Sequence, residues 1–387
     1  MLSRRLPSQP SANALTRAVA RVRARGTPVI DLTGSNPTAA GLAYPEGLLS
    51  GLSDPRALAY QPFPLGLPDA RAAVAADQAR RGIAVDPAHV VLTASTSEAY
   101  SYLFKLLCNP GDAVLGPRPS YPLFEHLTRL EGLRLEPYDL QYHGRWEVDP
   151  DRLARPGDRV RAVLAVAPNN PTGSFLSRAD LDLLRAACLT SGAALIVDEV
   201  FADYPLDAVA PITDIAAGAD EVLTFTLGGL SKTVGLPQVK CGWIVVGGPP
   251  AAVRAAIDGL EFIADSFLSV STPVQVAVRR LLEEGSAVRE AIRTRTADNL
   301  VRARRLVAAF PSCEMLRAEG GWSAVVRVPA TRGEEELTLD LLERAHVLVH
   351  PGYFFDFPRE AFLVVSLLGP PAAFEDGLRR LLEVASA

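Results

Sequence analysis

A chain of 387 residues is long enough for two domains, each with its own core. Apolar residues make up 48% and charged residues 21%, as in globular proteins, and the net charge of -5 gives no basic face for nucleic acid. No apolar run reaches the ~20 residues of a membrane span, so we expect a cytoplasmic protein that does not bind membranes and acts on a small molecule.

The cysteines and histidines show no pattern of a disulfide framework or a metal site. The four cysteines are far apart and form no CxxC pair, which fits a reducing compartment. His346 and His350 are four residues apart, but the apolar residues between them predict a strand, where that spacing separates the Cα atoms by about 13 Å. We therefore expect no bound metal.

The N-terminal stretch combines two signals. Its first thirty residues contain six arginines and no acidic residue, a bias that transit peptides share. The period of a surface helix across residues 12–25 favours a structural role, with Leu15, Ala18 and Val22 on the apolar side and arginines opposite. We predict that residues 1–45 form an arm and helix that pack with the small domain, although the pattern alone also allows the large one.

From about residue 69 onwards, short apolar runs alternate with helical periodicity. The apolar runs lie at residues 90–92, 113–115, 162–167, 194–197, 222–227 and 243–246. Because they lack polar alternation, they predict strands buried on both faces, in a mostly parallel sheet covered by helices. The sequence thus predicts an α/β fold with three α/β/α layers for a large domain at residues 46–255.

The C-terminal third has a different pattern. A helix-rich segment is followed by GGWSAVVRVP, a helical stretch near residues 334–344, VLVHPG, AFLVVSLL and a final helix. Strands mixed with helices in this order predict a smaller α+β domain, which we place at residues 256–387.

Polar residues follow the predicted strands, where ligands bind in an open α/β sheet. After the first strand, Ser95, Thr96 and Ser97 open an amphipathic helix. Free backbone N–H groups, hydroxyls and the positive helix end together form a phosphate site. The alternative is that these residues only cap the helix.

Three further strand ends carry polar groups. NNPTG at residues 169–173 is a polar turn that by itself is typical of many loops. Asp198 ends the apolar run LIVD, where a buried carboxylate requires a cationic partner, although a helix cap would also explain an acid there. Lys232 follows a Gly-Gly-Leu-Ser turn and is one of only three lysines, whereas arginines are numerous.

A lysine, an acid, an aromatic ring, an amide and a phosphate-binding helix start are the groups that pyridoxal phosphate requires. A lysine amine forms an imine with the cofactor aldehyde, whereas a guanidinium stays protonated and is a poor nucleophile. An acid that faces the pyridine nitrogen keeps it protonated, so that the ring accepts electrons when a bond at the substrate Cα breaks. This chemistry explains why residue 232 is not an arginine.

The chain resembles the fold type I aminotransferases of class I/II along nearly its whole length. The matching motifs, in chain order, are YQPFPLGLPDAR with Tyr60, TASTSEA, PSYP with Tyr121, NNPTG, VDEVF, LSKTVGLPQVKCGW and VHPGYFF. The resemblance implies the fold type I architecture for the large domain and pyridoxal 5'-phosphate as cofactor. It also implies amino-group transfer between an amino acid or amine and a 2-oxo acid, with pyruvate or 2-oxoglutarate as acceptor.

The resemblance also implies roles for individual residues. Lys232 would hold the cofactor as an internal aldimine and move the proton at the substrate Cα. Asp198 would pair with the pyridine nitrogen, Tyr121 would stack on the ring, and Asn170 would hydrogen-bond the phenolate oxygen and the substrate carboxylate. The remaining assignments are Ser95, Thr96, Ser97 and Lys240 to the phosphate, Tyr60 to the phosphate in a neighbouring subunit, and Gly34 and Trp322 to the substrate. A site completed across subunits implies a homodimer.

Three positions around the predicted cofactor depart from the family pattern. Phe201 replaces the usual tyrosine and cannot donate a hydrogen bond to the phenolate oxygen. Lys240 replaces an arginine and keeps the charge without the bidentate geometry. Gly229 replaces a serine and lacks its phosphate contact.

The largest departure concerns the substrate carboxylate. Val364 occupies the position at which the family usually has an arginine, in a strand that resembles IRLS. Either another arginine, such as Arg118 or Arg359, binds the carboxylate, or the substrate carboxylate is absent or held differently. A shifted alignment of this strand is a third explanation.

Two other functions compete with amino-group transfer. A lyase or decarboxylase on the same fold is the alternative, because substrate orientation decides which bond at Cα breaks. A ligand sensor of the kind fused to transcription regulators is disfavoured, because we expect no room for a DNA-binding domain in the short N-terminal segment and the catalytic residues are retained.

Overall fold

The computed structural model describes residues 3–6, 13–153, 156–207, 215–216 and 220–387. The strands in this part of the chain are β1 (Ile30–Asp31), β2 (Val90–Thr93), β3 (Ala113–Arg118), β4 (Arg134–Tyr142), β5 (Trp146–Val148), β6 (Val160–Val166), β7 (Ala194–Asp198), β8 (Thr224–Gly229), β9 (Gly242–Gly247), β10 (Glu314–Met315), β11 (Ser323–Arg327), β12 (Val347–Leu348), β13 (His350–Pro351) and β14 (Phe362–Ser366).

The helices of the same residues are α1 (Ala14–Ala24), α2 (Pro68–Arg80), α3 (Thr96–Leu107), α4 (Leu123–Leu130), α5 (Pro150–Leu153), α6 (Arg178–Ser191), α7 (Leu230–Thr233), α8 (Pro250–Asp265), α9 (Thr272–Glu284), α10 (Ser286–Val307), α11 (Glu334–Arg344) and α12 (Pro371–Ala385). None of these described helices is long and apolar enough to cross a membrane.

The large sheet contains eight strands in the order β2-β9-β8-β7-β6-β3-β4-β5. The neighbours from β8 through β4 run parallel, whereas β9 is antiparallel to both of its neighbours and β5 is antiparallel to β4. The predicted mostly parallel sheet is therefore confirmed. The segment 230–241, which contains the four-residue helix α7, connects β8 to β9 and returns the chain in the opposite direction.

Helices cover both faces of this sheet, as the sequence predicts for wholly apolar strands. Along β7, Leu195 and Ile196 point to opposite faces and enter two different cores. Leu184 of α6 packs in the first core, and Leu103 of α3 packs in the second. The result is the predicted three-layer α/β/α arrangement, in which the carboxyl ends of the parallel strands lie at one edge of the sheet.

The smaller sheet is antiparallel and has the order β10-β11-β14-β13. Val364 in the middle of β14 is paired with Val325 of β11 on one side and with His350 of β13 on the other. Leu300, Leu341 and Leu381, from α10, α11 and α12, pack in a core with residues of this sheet. This unit is the α+β module that the sequence predicts.

The N-terminal arm contacts the smaller unit. Leu15, Ala18 and Val22 of α1 are buried against Leu342 of α11, and β1 pairs in parallel with β12. These three residues are the apolar positions that the helical period places on one side of the helix. The start of the predicted helix, at residue 12, lies outside the described residues.

The predicted domain boundary at residue 255 falls within α8. Leu260 of α8 lies in the core that contains α3, and Val278 of α9 lies in the core that contains α2. These contacts join both helices to the large sheet, and Val288 and Ile292 at the start of α10 lie in the same core as α2 and α9. The division into residues 1–45, 46–255 and 256–387 stays a prediction.

Candidate active site

A cavity of about 390 Å³ lies between the carboxyl edge of the large sheet and the smaller sheet. Nine of the eleven predicted site residues line it: Ser95, Thr96, Ser97, Tyr121, Asn170, Asp198, Lys232, Lys240 and Trp322. They come from the ends of β2, β6, β7 and β8, from the loop after β3, from the segment before β9, and from the turn before β11. The fold therefore brings together groups that are up to 227 residues apart in the sequence.

Two predicted residues do not line this cavity in their own chain. Gly34 lies between Thr33 and Ser35, which do line it, and the Gly34 carbonyl accepts a hydrogen bond from Ser366 Oγ at 2.6 Å. Tyr60 is 76% exposed and belongs to a separate surface depression. Its contact with the site of a second subunit stays a prediction.

Lys232 lies in the short helix α7, directly beyond the end of β8. The Tyr204 hydroxyl donates a hydrogen bond to the Lys232 carbonyl and so fixes the backbone at this position. The Lys232 Nζ lies 4.8 Å from the centroid of the Trp322 ring and 5.4 Å from that of Phe201. Burial lowers the pKa of Lys232 to about 8, although the charge of Asp198 opposes this effect. The amine is thus available in its neutral, nucleophilic form near neutral pH.

Asp198 is the last residue of β7 and is buried. Its Oδ2 accepts a hydrogen bond from the Tyr100 hydroxyl at 3.1 Å, and its Oδ1 accepts one from the Val200 N–H at 3.1 Å. Burial raises the pKa of Asp198 to about 6, against the opposing effects of these two hydrogen bonds and of Lys232. Such a carboxylate is held in place to pair with a cationic ring nitrogen.

Tyr100 is a site residue that the sequence did not identify. It lies on the buried face of α3, one turn after Thr96, and its ring packs edge-on against Phe124. A buried tyrosine requires a partner for its hydroxyl, so its position one turn after a predicted ligand-binding helix start was an available signal.

The start of α3 combines a cap and an anion site. Ser95 Oγ accepts a hydrogen bond from the Glu98 N–H at 3.2 Å, so Ser95 caps the helix. Within the described residues, the hydroxyls of Thr96 and Ser97 make no hydrogen bond, and both line the cavity beside the free N–H groups of the first turn. This end of the cavity is suited to an anion such as phosphate.

Gly229 and Lys240, which depart from the family pattern, both lie where the backbone restricts the side chain. A Cβ atom at Gly229 would lie 3.1 Å from the Cys241 carbonyl oxygen and 3.2 Å from the Cα of Gly242, because β8 and β9 approach closely here. A serine at position 229 is therefore crowded. Lys240 is exposed at the rim of the cavity and has a φ of 59°, the left-handed region that few side chains adopt.

Val364 lines the opposite end of the cavity and is buried. Neither candidate for a replacement arginine lies there. The guanidinium of Arg118 forms a bidentate ion pair with Asp139, at 2.7 and 3.0 Å, and Arg359 is exposed. Within the described part of the chain, the cavity lining contains two lysines and no arginine.

The donor set fits pyridoxal phosphate. A lysine with a lowered pKa, a buried carboxylate, a tyrosine ring and a helix start with free hydroxyls surround one cavity. When bound there, the cofactor supplies an aldehyde and an electron-accepting ring. The chain supplies an amine that can bind the aldehyde, a fixed negative charge and an anion site.

A sequence model described as aminotransferase class I and II matches residues 32–381. The chain belongs to this family. Its members depend on pyridoxal phosphate, so this chain is a pyridoxal phosphate-dependent aminotransferase. The residues that the family resemblance singles out are, with the two exceptions above, those that the fold gathers around Lys232.

Individual relatives of this aminotransferase agree with the family. Glutamate-pyruvate aminotransferase AlaA of Escherichia coli (strain K12) is 28% identical over 90% of this chain and 88% of that protein. Arginine--pyruvate transaminase AruH of Pseudomonas aeruginosa is 30% identical over 71% of this chain and 69% of that protein. The solved structure of alanine aminotransferase from Pyrococcus furiosus has a TM-score of 0.88 with 22% identity and covers 99% of each chain. At that identity the likeness shows a common fold.

Proposed function

We propose that this aminotransferase exchanges the amino group of alanine and pyruvate with that of a second amino acid and its 2-oxo acid. The observation that carries the proposal is the pairing of Lys232 and Asp198 at the ends of the adjacent strands β8 and β7, inside one cavity. The choice of alanine and pyruvate rests on the relatives, of which three kinds carry alanine or pyruvate in their names.

In this proposal, each group has one task. Lys232 binds the cofactor aldehyde and later holds or releases a proton at the substrate Cα. Asp198 keeps the pyridine nitrogen protonated, and Tyr121 covers one face of the ring. Asn170 binds the ring oxygen and the substrate carboxylate. Thr96, which opens α3, binds the phosphate together with Ser95, Ser97 and Lys240.

The surface around Tyr60 supports a homodimer. Leu58, Tyr60 and Phe262 are 91%, 76% and 78% exposed, and Phe63 and Phe267 are also exposed. Tyr60, Phe63 and Leu268 line one surface depression, and an exposed apolar patch of this kind is typical of a surface that another protein covers. We include a homodimer in the proposal, with Tyr60 of each subunit completing the cofactor site of the other.

The amino-transfer proposal is tested with purified holoenzyme, L-alanine and no 2-oxo acid. We expect the cofactor to be converted to its amine form with release of pyruvate. Absorbance measures this conversion. Lys232→Ala abolishes the conversion, whereas Lys105→Ala, which removes a surface amine paired with Glu131, leaves it intact. Release of ammonia or carbon dioxide with the cofactor unchanged would instead show a lyase or decarboxylase.

The dimer is tested by complementation. Lys232→Ala and Tyr60→Ala are each expected to be nearly inactive alone, because every site lacks one group. After mixing and subunit exchange, one site of each mixed dimer has both groups, so activity returns. Failure of the mixture to regain activity, although light scattering shows that subunits exchange, would contradict the shared site.

A further inference from the structure

The end of the cavity formed by the smaller sheet has its own polar group. His350 of β13 is the direct partner of Val364 across the antiparallel ladder, and both side chains line the cavity. Cβ atoms of directly opposite residues lie about 4.5–5.5 Å apart. The imidazole of His350 is therefore beside the position at which an arginine on β14 would begin.

The imidazole of His350 packs against aromatic rings but forms no hydrogen bond with a described residue. The imidazole is half-buried, and the ring centroids of Phe354 and Phe355 each lie 5.7 Å from the centroid of the imidazole ring. No described residue forms a hydrogen bond with it. An oriented imidazole without a partner, facing a ligand cavity, is available to bind a ligand.

Few charged groups face this imidazole. Asp31 of β1 is the acidic group that acts on it, and its Oδ1 accepts hydrogen bonds from the Thr33 N–H at 2.8 Å and the Thr33 hydroxyl at 2.6 Å. Glu334 of α11, which packs on β13, is occupied by the N–H groups of Tyr353 and Phe362. Burial lowers the pKa of His350, and Asp31 opposes that effect.

Apart from the two lysines assigned to the cofactor, the other polar groups that could reach a carboxylate in this cavity are neutral: Asn170 is an amide, and the buried Trp322 Nε1–H, which has no partner among the described residues, is an uncharged donor. Val364 and Phe355 are apolar, and the Ser366 hydroxyl already donates to the Gly34 carbonyl. A carboxylate that is buried against apolar side chains without a donor or a cation is strongly disfavoured. Among the described residues that line this end, His350 is the one side chain that can carry a positive charge.

We propose that His350 binds the substrate carboxylate of this aminotransferase, in place of the arginine that β14 lacks. The inference rests on the proposed function, since it assigns a group to the amino-acid and 2-oxo-acid substrates. A bound carboxylate favours the imidazolium form, so the imidazole takes up a proton when the substrate binds. Binding of carboxylate substrates therefore weakens as the pH rises above the titration of the free imidazole.

The first test compares L-alanine with L-alaninamide in the donor half-reaction of the holoenzyme. His350→Leu raises the half-saturating concentration of alanine by about 10- to 100-fold, as expected for a lost hydrogen bond to a charged group. The value for alaninamide changes less than about threefold, because an amide needs no cation. His143→Leu, on the exposed β4–β5 hairpin, is the matched control and changes neither value.

The second test follows pH in the wild type and in His350→Gln, which keeps a hydrogen-bond donor but does not titrate. Relative to the variant, the wild type loses preference for alanine over alaninamide as the pH rises from 6 to 9. Double substitution with His350→Leu and Val364→Arg restores alanine binding and removes this dependence. If both proteins show the same pH profile and the same preference, His350 does not bind the carboxylate.

A third test needs no turnover. The chain has five histidines, so NMR can follow each imidazole, with His350→Gln identifying the signal of interest. Propionate shifts the titration of this signal to higher pH, whereas propionamide does not. An unchanged titration overturns the assignment of His350. If propionate shifts the titration but no amino acid converts the cofactor, the proposed function fails and the carboxylate site stands.

Discussion

At the scale of single residues, the charges of Lys232 and Asp198 each counteract the effect of burial on the pKa of the other. Burial lowers the pKa of Lys232 to about 8 and raises that of Asp198 to about 6, and each charge counteracts the shift of the other. At pH 7 about one Lys232 amine in ten is neutral, against about one in three thousand for a lysine with the ordinary pKa of 10.5. The cavity thus prepares the amine for an aldehyde before any ligand arrives.

This pKa predicts how the apoprotein takes up its cofactor. The rate of pyridoxal phosphate uptake, followed by absorbance after rapid mixing, should rise with pH and level off above about pH 8. The sign follows because the neutral amine is the nucleophile and its fraction grows up to that pH. Lys105→Arg is the matched control and keeps the profile. A rate that still rises steeply above pH 9 would contradict a lowered pKa.

Removal of the Tyr100 hydroxyl should act through Asp198. Tyr100→Phe deletes one of the two hydrogen bonds that hold the pKa of Asp198 down, so that pKa rises further. The acid then loses charge at neutral pH, and we expect transfer to slow by roughly tenfold at pH 6 and less at pH 8, where the acid stays ionised. Rate profiles between pH 5 and 9 measure this.

Tyr102→Phe is the control for that prediction, because it lies on the same helix and contacts Ser269 rather than the site. Equal pH profiles for Tyr100→Phe and the wild type would show that Asp198 does not depend on this hydroxyl.

At the scale of elements, the start of α3 combines two roles: Ser95 caps the helix and is also a proposed phosphate ligand, whereas the Thr96 side chain forms no part of the cap. Ser95→Ala removes the cap and should lower the free energy of unfolding of the apoprotein by about 1 kcal/mol. Thr96→Ala should leave that stability nearly unchanged but raise the Kd for pyridoxal phosphate, because its hydroxyl faces the cavity without a partner among the described residues. Denaturant unfolding and cofactor titration separate the two effects. If Thr96→Ala lowered the stability and Ser95→Ala alone raised the Kd, the assignment of the cap to Ser95 would be wrong.

The sequence predicts this edge of the sheet well, because it depends on local patterns. Asp198, Lys232 and the start of α3 each follow an apolar run, and parallel strands bring such positions together. Tyr100 and His350 are different. Their relevance depends on a helix rotation and on the register between β13 and β14, which no local periodicity specifies.

The same reason explains the elements that the sequence did not predict. β4 and β5 lie at one edge of the large sheet, and β4 has a mixed pattern of exposed and buried residues rather than an apolar run. Their strand conformation depends on pairing with neighbours that are distant in the sequence.

At the scale of the whole molecule, Arg145 joins the large sheet to the smaller unit. Its guanidinium lies 3.4 Å from Asp180 Oδ2 and 3.3 Å from Glu319 Oε1, and it donates to the Phe175 carbonyl at 3.1 Å. Glu319 precedes β11 and also accepts the Phe175 N–H at 3.0 Å. The loop that carries Asn170 is thereby tied to the strand that follows Trp322.

Loss of this guanidinium should weaken the whole chain. Arg145→Met leaves the buried Glu319 with the Phe175 N–H and, as its one cationic partner among the described residues, Arg317 at 3.7 Å, and we expect a loss of about 2–3 kcal/mol in the free energy of unfolding. Arg134→Met, which removes an exposed partner of Glu136, should change stability by less than about 0.5 kcal/mol. Urea unfolding measures both, and equal values for the two variants would contradict the role of Arg145.

The aromatic wall behind Lys232 has an optical consequence. Trp322 is one of three tryptophans in the chain, and its indole lies 4.8 Å from the amine that receives the cofactor, whereas Trp243 belongs to β9, beside the edge strand β2, and Trp146 to the β4–β5 hairpin. A near-ultraviolet chromophore in the cavity is adjacent to this emitter and quenches it by energy transfer. The protein therefore contains its own fluorescent gauge of cofactor occupancy, which needs neither an added label nor a substrate.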